Sequence, residues 1–342
     1  LSPVAADQRI DMDKASFVFR VRLREQGAEM PETQMIKPLL LRLHRWITLV
    51  FALPLAVIIA TGLILSFEPM VQVSGIGSSS LDAQHIVDLV ERYDPDGKAR
   101  GLAINAGERR LTLQGVDIPP IDLATGEPAA ANSTLPGLFL WARFTHERLL
   151  GMGWLVTAST IAMVAITLLG ILMGLPRLRN TLSGWHKGTA WFTLPLILLS
   201  PLTGLCLAFG LTFQSAPSPA NGGRPVALPD AVRMVADSHG LSQVISIRIR
   251  GGRMMARIYE DGELRAYAVS SAGVAALPRN WPRLIHEGNW SAMVASSLNV
   301  ITSIALLALL GTGLLIWARR KLRRRQPRRK EPRGATSLSP AE

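Results

Sequence analysis

Four long stretches without a charged residue limit what this chain can fold into more than any other feature. They cover residues 46–67, 149–175, 188–213 and 288–318. An α-helix rises about 1.5 Å per residue, so roughly 20 apolar residues cross a hydrocarbon layer of about 30 Å. Each stretch reaches that length. With 48% hydrophobic residues and a mean hydropathy of +0.25, the sequence describes an integral membrane protein that is mainly α.

The first 45 residues are charged and hold no short apolar core, so no cleavable leader is expected. Cys206 is the only cysteine and lies inside the third stretch. It cannot close a disulfide within the chain or build a thiolate cluster, and reads as a small packing residue.

Lys and Arg number 37 against 25 Asp and Glu. Ten of the basic residues crowd into ARRKLRRRQPRRKEPR, directly after the fourth stretch. That is the place of a cytoplasmic anchor, which also attracts anionic membrane lipid. The tail has no interleaved aromatics, so nucleic acid is not expected as a partner. Lys14, Arg20, Arg22, Arg24, Lys37, Arg42 and Arg45 precede the first stretch, and Arg177, Arg179 and Lys187 fill the short second connection. Excess positive charge marks cytoplasmic segments, so both termini are expected inside.

The expected organisation follows. Residues 1–36 form a cytoplasmic segment, 37–67 the first span, 68–143 an outer module and 144–175 the second span. A cytoplasmic loop covers 176–187, the third span 188–213, a second outer module 214–283, the fourth span 284–318 and a basic tail 319–342.

Both outer segments read as small α+β units. In the first, SLDAQHIVDLVERY has helical spacing with Ser80 and Asp82 near its start, LAINAGERRLTLQGVDI alternates like a strand hairpin, and LATGEP is a turn at Gly126. In the second, a helix over LPDAVRMVADSHGL precedes strands broken at Gly251-Gly252 and Asp261-Gly262.

The order span, outer unit, span therefore occurs twice. LHRWITLVFALPLAVIIATGL and WHKGTAWFTLPLILLSPLTGL each carry Leu-Pro-Leu midway. Each also places Thr-Gly (Thr61-Gly62, Thr203-Gly204) 17 and 18 positions after a histidine. The copies enter the membrane in the same direction. A parallel duplication of this kind implies a pseudo-twofold axis along the membrane normal.

Of six histidines, His44, His146, His186 and His286 stand at the mouths of the four spans. The axis brings His44 to His186 at the cytoplasmic face and His146 to His286 at the outer face. Neutral imidazoles from two helices suit the axial positions of a low-spin haem, and a four-helix bundle offers an apolar slot for haem b without covalent attachment. Two haems per chain are expected, with the four histidines as iron ligands. Gly62 and Gly204 are small enough to admit a macrocycle. Arg45 and Lys187, with Arg42, are candidate propionate partners inside. Arg143 and Arg283, with Arg148, are the candidates outside.

Blander readings compete. A histidine at a membrane interface is commonly an anchor, small residues commonly serve helix packing, and Trp46, Trp154, Trp191 and Trp290 fit an aromatic belt. Recurrence at all four mouths favours ligands. Zinc fits poorly, since pairs at opposite faces cannot converge on one tetrahedral ion. His85 and His239 occupy non-equivalent places and read as surface residues.

Residues 37–321 resemble the PepSY-associated transmembrane helix family. The likeness is carried by LLRLHRWITLVFALPLAVIIATGLILSFEP, FTHERLLGMGW, LSGWHKGTAWFTLPL, and LIHEGNWSAMVA followed by LLGTGLLIWARRK; the outer units are similar to PepSY modules. The resemblance implies an iron-uptake-associated protein of the bacterial inner membrane, with one branch acting as haem b-containing ferric-siderophore reductases. On that branch the four histidines hold the haems. Electrons then pass from a quinol or a separate reductase to a ferric siderophore outside. The basic second outer unit, with nine basic and five acidic residues over 214–283, is the expected landing surface. The other reading is a non-enzymatic membrane-anchored protein whose outer units bind a peptidase or signalling partner.

Overall fold

The computed structural model describes residues 32–74, 76, 81–129, 134–149, 151–175, 179–214, 224 and 226–325. The expectations for residues 1–31 and 326–342, and for Ser80 and Arg177, lie outside them. In chain order the elements are α1 (Glu32–Leu65), α2 (Glu68–Val73), α3 (Ala83–Tyr93), β1 (Gly101–Asn105), β2 (Arg110–Gln114) and β3 (Ile121–Asp122). Next come α4 (Leu135–Arg148), α5 (Gly153–Leu172), α6 (Leu182–Phe192), α7 (Leu194–Ala208) and α8 (Leu228–His239). The remainder are β4 (Val244–Arg250), β5 (Arg253–Glu260), β6 (Glu263–Ser270), β7 (Gly273–Ala276), α9 (Trp281–Glu287) and α10 (Ala292–Arg325).

Three regions, Ile36–Val73, Gly153–Leu172 and Ala292–Arg323, are helical, long and apolar enough to cross a membrane; α6 and α7, bent by 64° at their junction, make a fourth if taken as one span. The protein is thus a multi-pass membrane protein of mostly helical build. Leu53 (75% exposed) and Phe192 (91%) point away from the bundle, as lipid-facing side chains do. Inside the spans Ser159 donates to the Leu155 carbonyl (2.7 Å) and Thr302 to that of Leu298 (2.7 Å), satisfying themselves on the preceding turn, whereas the buried Ser296 hydroxyl has no such partner.

The sequence predicts the second and fourth spans as single helices opening at their histidines. Each instead begins with a separate short helix. α4 stops at Leu149, whose φ is 39°, and α9 stops at Gly288, whose φ is 75°. A residue in the left-handed region ends the i to i−4 ladder and turns the chain sharply. His146 and His286 therefore lie on short helices outside the long spans and lean over the bundle.

Outside the membrane the two expected modules are one body. The strands form a single antiparallel sheet in the order β3-β2-β1-β4-β5-β6-β7. Its seam is the β1–β4 pairing, with Gly101 opposite Arg248 and Leu102 opposite Ile247. A Cβ on Gly101 would stand 2.4 Å from the Arg248 Cβ, so only glycine allows this approach. Joining the units covers two exposed strand edges that would otherwise invite unwanted pairing.

One core results. Ile86, Val87 and Val90 of α3 and Ala231, Val232 and Val235 of α8 pack on one face of the sheet with Leu102, Leu111, Ile247 and Ile258. Each fully buried aliphatic side chain contributes about 1.5–3 kcal/mol. Asp82 caps α3 by accepting from the Gln84 and His85 amides, a contact worth about 1 kcal/mol. The other face rests on the outer ends of the bundle, where the Leu264 amide donates to the Asn289 carbonyl at 2.9 Å.

His85 and His239, expected at the surface, are both partly buried. His85 Nε2 lies 3.1 Å from the Leu123 carbonyl. His239 packs 4.5 Å from the Tyr267 ring, with Nε2 3.5 Å from Glu260. The Tyr267 hydroxyl donates to the same carboxylate. Burial, and then this hydrogen bond, push the phenol up to about 12.

Candidate functional site

The histidines pair as the sequence predicts. His44 and His186 have ring centroids 6.5 Å apart, and His146 and His286 have theirs 6.2 Å apart. A metal–nitrogen bond of about 2.0–2.1 Å gives two imidazoles on opposite sides of one metal a centroid separation of about 6.3 Å. Both pairs match it. The rings are too far apart to stack, and each keeps some solvent-accessible surface.

Every Nδ1 is already engaged. His146 Nδ1 meets the Ile58 carbonyl at 2.9 Å, and His286 Nδ1 meets that of Ser200 at 3.0 Å. His44 Nδ1 meets the Ile166 carbonyl at 3.0 Å, and His186 Nδ1 the Thr312 hydroxyl at 2.8 Å. A carbonyl only accepts, so those imidazoles donate Nδ1–H and keep the lone pair on Nε2. The Thr312 hydroxyl gives its own proton to the Ala308 carbonyl (2.7 Å) and therefore accepts from His186. This is how proteins orient imidazole ligands of metals.

The seats are exchanged between helices. α1 carries His44 and seats His146, while α5 seats His44. In the second half, α6 carries His186, α7 seats His286, and α10 seats His186. Each histidine thus ties its own helix to another helix of the same half, and each pair joins the halves.

Glycines let the rings dock. A Cβ on Gly62 would come within 3.1 Å of His146 Cε1, and one on Gly204 within 3.1 Å of His286 Cε1. The sequence predicts that these glycines admit a macrocycle; in the structure they face the imidazoles themselves. Gly313 is the looser counterpart under His186, at 3.6 Å.

The inner pair lines a cavity of about 1200 Å³. Its walls include Leu55, Ile59 and Ile197, and its mouth carries Lys37, Arg45, Arg179, Lys187, Arg320 and Lys321. Among the described residues lining it there is no Asp or Glu. Arg45 and Lys187 are exposed there, as propionate partners should be. Trp191 lines the cavity too, while Phe192 turns outward.

The outer rim differs. Arg143 pairs with Glu68 and reaches Glu147 at 3.6 Å; Arg283 pairs with Glu287 at 2.7 Å. Burial alone would lower the Arg143 pKa, but Glu68, Glu287 and Glu147 outweigh it and hold the pKa above its ordinary value. Glu287 also faces Arg257 at 4.0 Å and accepts from Asn289 at 2.7 Å. Arg143 and Arg283 are therefore already paired with carboxylates, while Arg148, the third candidate, is exposed. Sequence reasoning missed these acids, although Arg-x-x-His-Glu stands at both mouths, at 143–147 and 283–287. It also missed Thr312-Gly313, a third Thr-Gly that seats a third histidine.

Fold and site together define a multi-pass membrane protein with a pair of histidines, spaced for one metal, at each end of its bundle. Over residues 41–320 the chain matches the PepSY-associated TM region, and it belongs to that family. No curated protein matches it.

Proposed function

We propose that this protein is a haem b-containing reductase of the bacterial inner membrane, which passes electrons outward to a ferric siderophore in the periplasm. The observation that carries this reading is the pair of imidazole couples, 6.5 and 6.2 Å between centroids, with every Nδ1 occupied. The inner site suits haem b in three respects: ligand spacing, an apolar cavity and a basic mouth. The outer site suits it in ligand spacing.

Bis-histidine haem supplies reversible one-electron transfer. The protein's own residues hold the imidazoles by Nδ1, which would leave Nε2 free for the iron, and the cations at the cavity mouth would pair with propionates. Fourteen residues separate His44 from Ile58, which seats His146, and fourteen separate His186 from Ser200, which seats His286. Along α1 that is about 21 Å, well short of the bilayer, and the 64° bend between α6 and α7 shortens the second path further. The matched spacings, and the exchange of seats within each half, support the parallel duplication and its pseudo-twofold axis. They also favour reading α6 and α7 as one span and the outer helix–strand units as PepSY modules. The basic cytoplasmic ends of α1 and α10 favour termini that lie inside.

Fe(III) is bound tightly by hard oxygen donors, and reduction to Fe(II) loosens that grip. The exposed Arg250 and Arg253 at one end of the sheet favour an anionic chelate there. The test is transfer across a membrane. Proteoliposomes loaded with reductant should reduce an external ferric siderophore, read by a ferrous-specific chelator, and His186→Ala should stop it. If reduction proceeds equally with that variant, the reading is wrong. A colourless protein that still captures a peptidase or signalling partner would favour the anchor reading.

A further inference from the structure

The four imidazole seats share a register. Counted from the carbonyl facing Nδ1, a hydroxyl stands three residues on and a glycine four. Ile58, Thr61 and Gly62 serve His146, and Ser200, Thr203 and Gly204 serve His286. The Leu309 backbone, Thr312 and Gly313 serve His186. The seat of His44 keeps the carbonyl of Ile166 and has Gly170 in the fourth position, but Leu169 fills the hydroxyl position.

The three hydroxyls are not alike. Each donates to the turn before it and can only accept from an imidazole. Thr61 and Thr203 stand 3.3 and 3.2 Å from their Nδ1 atoms, behind carbonyls at 2.9 and 3.0 Å. Thr312 stands at 2.8 Å. The outer pair is thus held by two equal seats, and the inner pair by unequal ones.

We propose that Thr312 is a positioning residue for the inner metal site, accepting the His186 Nδ1–H in the shortest of the four contacts so that this imidazole would be the more electron-donating of the inner pair, and that Leu169 leaves His44 with the longer contact to the Ile166 carbonyl alone. The inference rests on the haem reading above. A hydrogen bond accepted from Nδ1–H pushes electron density toward Nε2, which favours ferric over ferrous iron and lowers the site's reduction potential.

The test is a potentiometric titration of the purified full-length protein, followed by its visible spectrum. Wild type is compared with Thr312→Val, Thr312→Ser and Leu169→Thr. Each is also titrated in a His146→Ala background, which isolates the inner site. Thr312→Val should shift the inner ferric–ferrous equilibrium about tenfold toward ferrous, about 59 mV for one electron, with the outer step unmoved. Thr312→Ser should restore it. Leu169→Thr leaves the native seats intact and should move the inner step the opposite way, so the inference stays testable if Thr312→Val fails to fold. Fully coloured variants with unmoved midpoints would overturn this inference alone. A wild-type protein without haem would overturn the functional reading and this one with it.

Discussion

The inner pair of histidines borders a cavity of about 1200 Å³ ringed by six cations, whereas neither His146 nor His286 lines that cavity. Arg143 and Arg283 at the outer pair are matched by Glu68, Glu147 and Glu287. The seats differ as well. Added Cβ atoms would press on the outer imidazoles at 3.1 Å, but on His186 only at 3.6 Å, and nothing lies within 4 Å at Gly170. Two histidine pairs of similar spacing can therefore differ in grip and in charge. The inner one is roomy with unpaired cations at its mouth among the described residues lining it, the outer one tight with Arg143 and Arg283 paired to carboxylates.

The largest effect that would break this comparison comes from deleting a ligand. His186→Ala or His44→Ala should remove about half of the bound haem, measured by pyridine haemochrome, and leave the rest low-spin. Loss of all colour from either variant would mean that the two sites are not separable.

Next come the seats. Gly204→Ala should displace His286 and cost about 1–3 kcal/mol as an overpacked contact, while Gly170→Ala should be close to neutral in the same thermal melt. Equal effects would erase the distinction between tight and loose seats. Charge reversal is smaller. Lys187→Glu with Arg45→Glu should lower occupancy of the inner site only. Arg283→Ala should leave haem content unchanged, because its partner is already Glu287. Haem-to-protein ratios after detergent washing decide this.

The smallest effect lies away from both pairs. The Tyr267 phenol is pushed up to about 12 when folded, against about 10 when unfolded. An acid whose folded pKa is raised contributes stability that is complete below the unfolded value and lost as pH rises through the folded one. The melting temperature of the outer sheet should therefore fall between about pH 10 and 12, and Tyr267→Phe should flatten that slope.

What could be read from the sequence was local or periodic. Thr61-Gly62 and Thr203-Gly204 stand at equal distances from histidines, so their kinship was visible. Thr312-Gly313 was not matched to them, because it lies at the opposite end of its span from His286 and serves a histidine on another helix. The β1–β4 seam joins residues far apart in the chain, and nothing near Gly101 announces Arg248 as its neighbour. Leu-Pro-Leu recurs with opposite outcomes. Pro54 sits inside the continuous α1, whereas Pro195 opens α7 after the 64° bend. Proline fits a first turn, where its missing N–H has no intrahelical partner to lose. Mid-helix it is held by the surrounding bundle, which local sequence does not reveal.

The most direct measurement is low-temperature electron paramagnetic resonance of the oxidised, full-length protein purified from haem-replete cells, with haem counted against protein. The expected result is two low-spin ferric species with bis-imidazole g-values and a ratio near two haems per chain. A sample with no haem, or with a high-spin signal that survives replacement of each of the four histidines in turn, would contradict it.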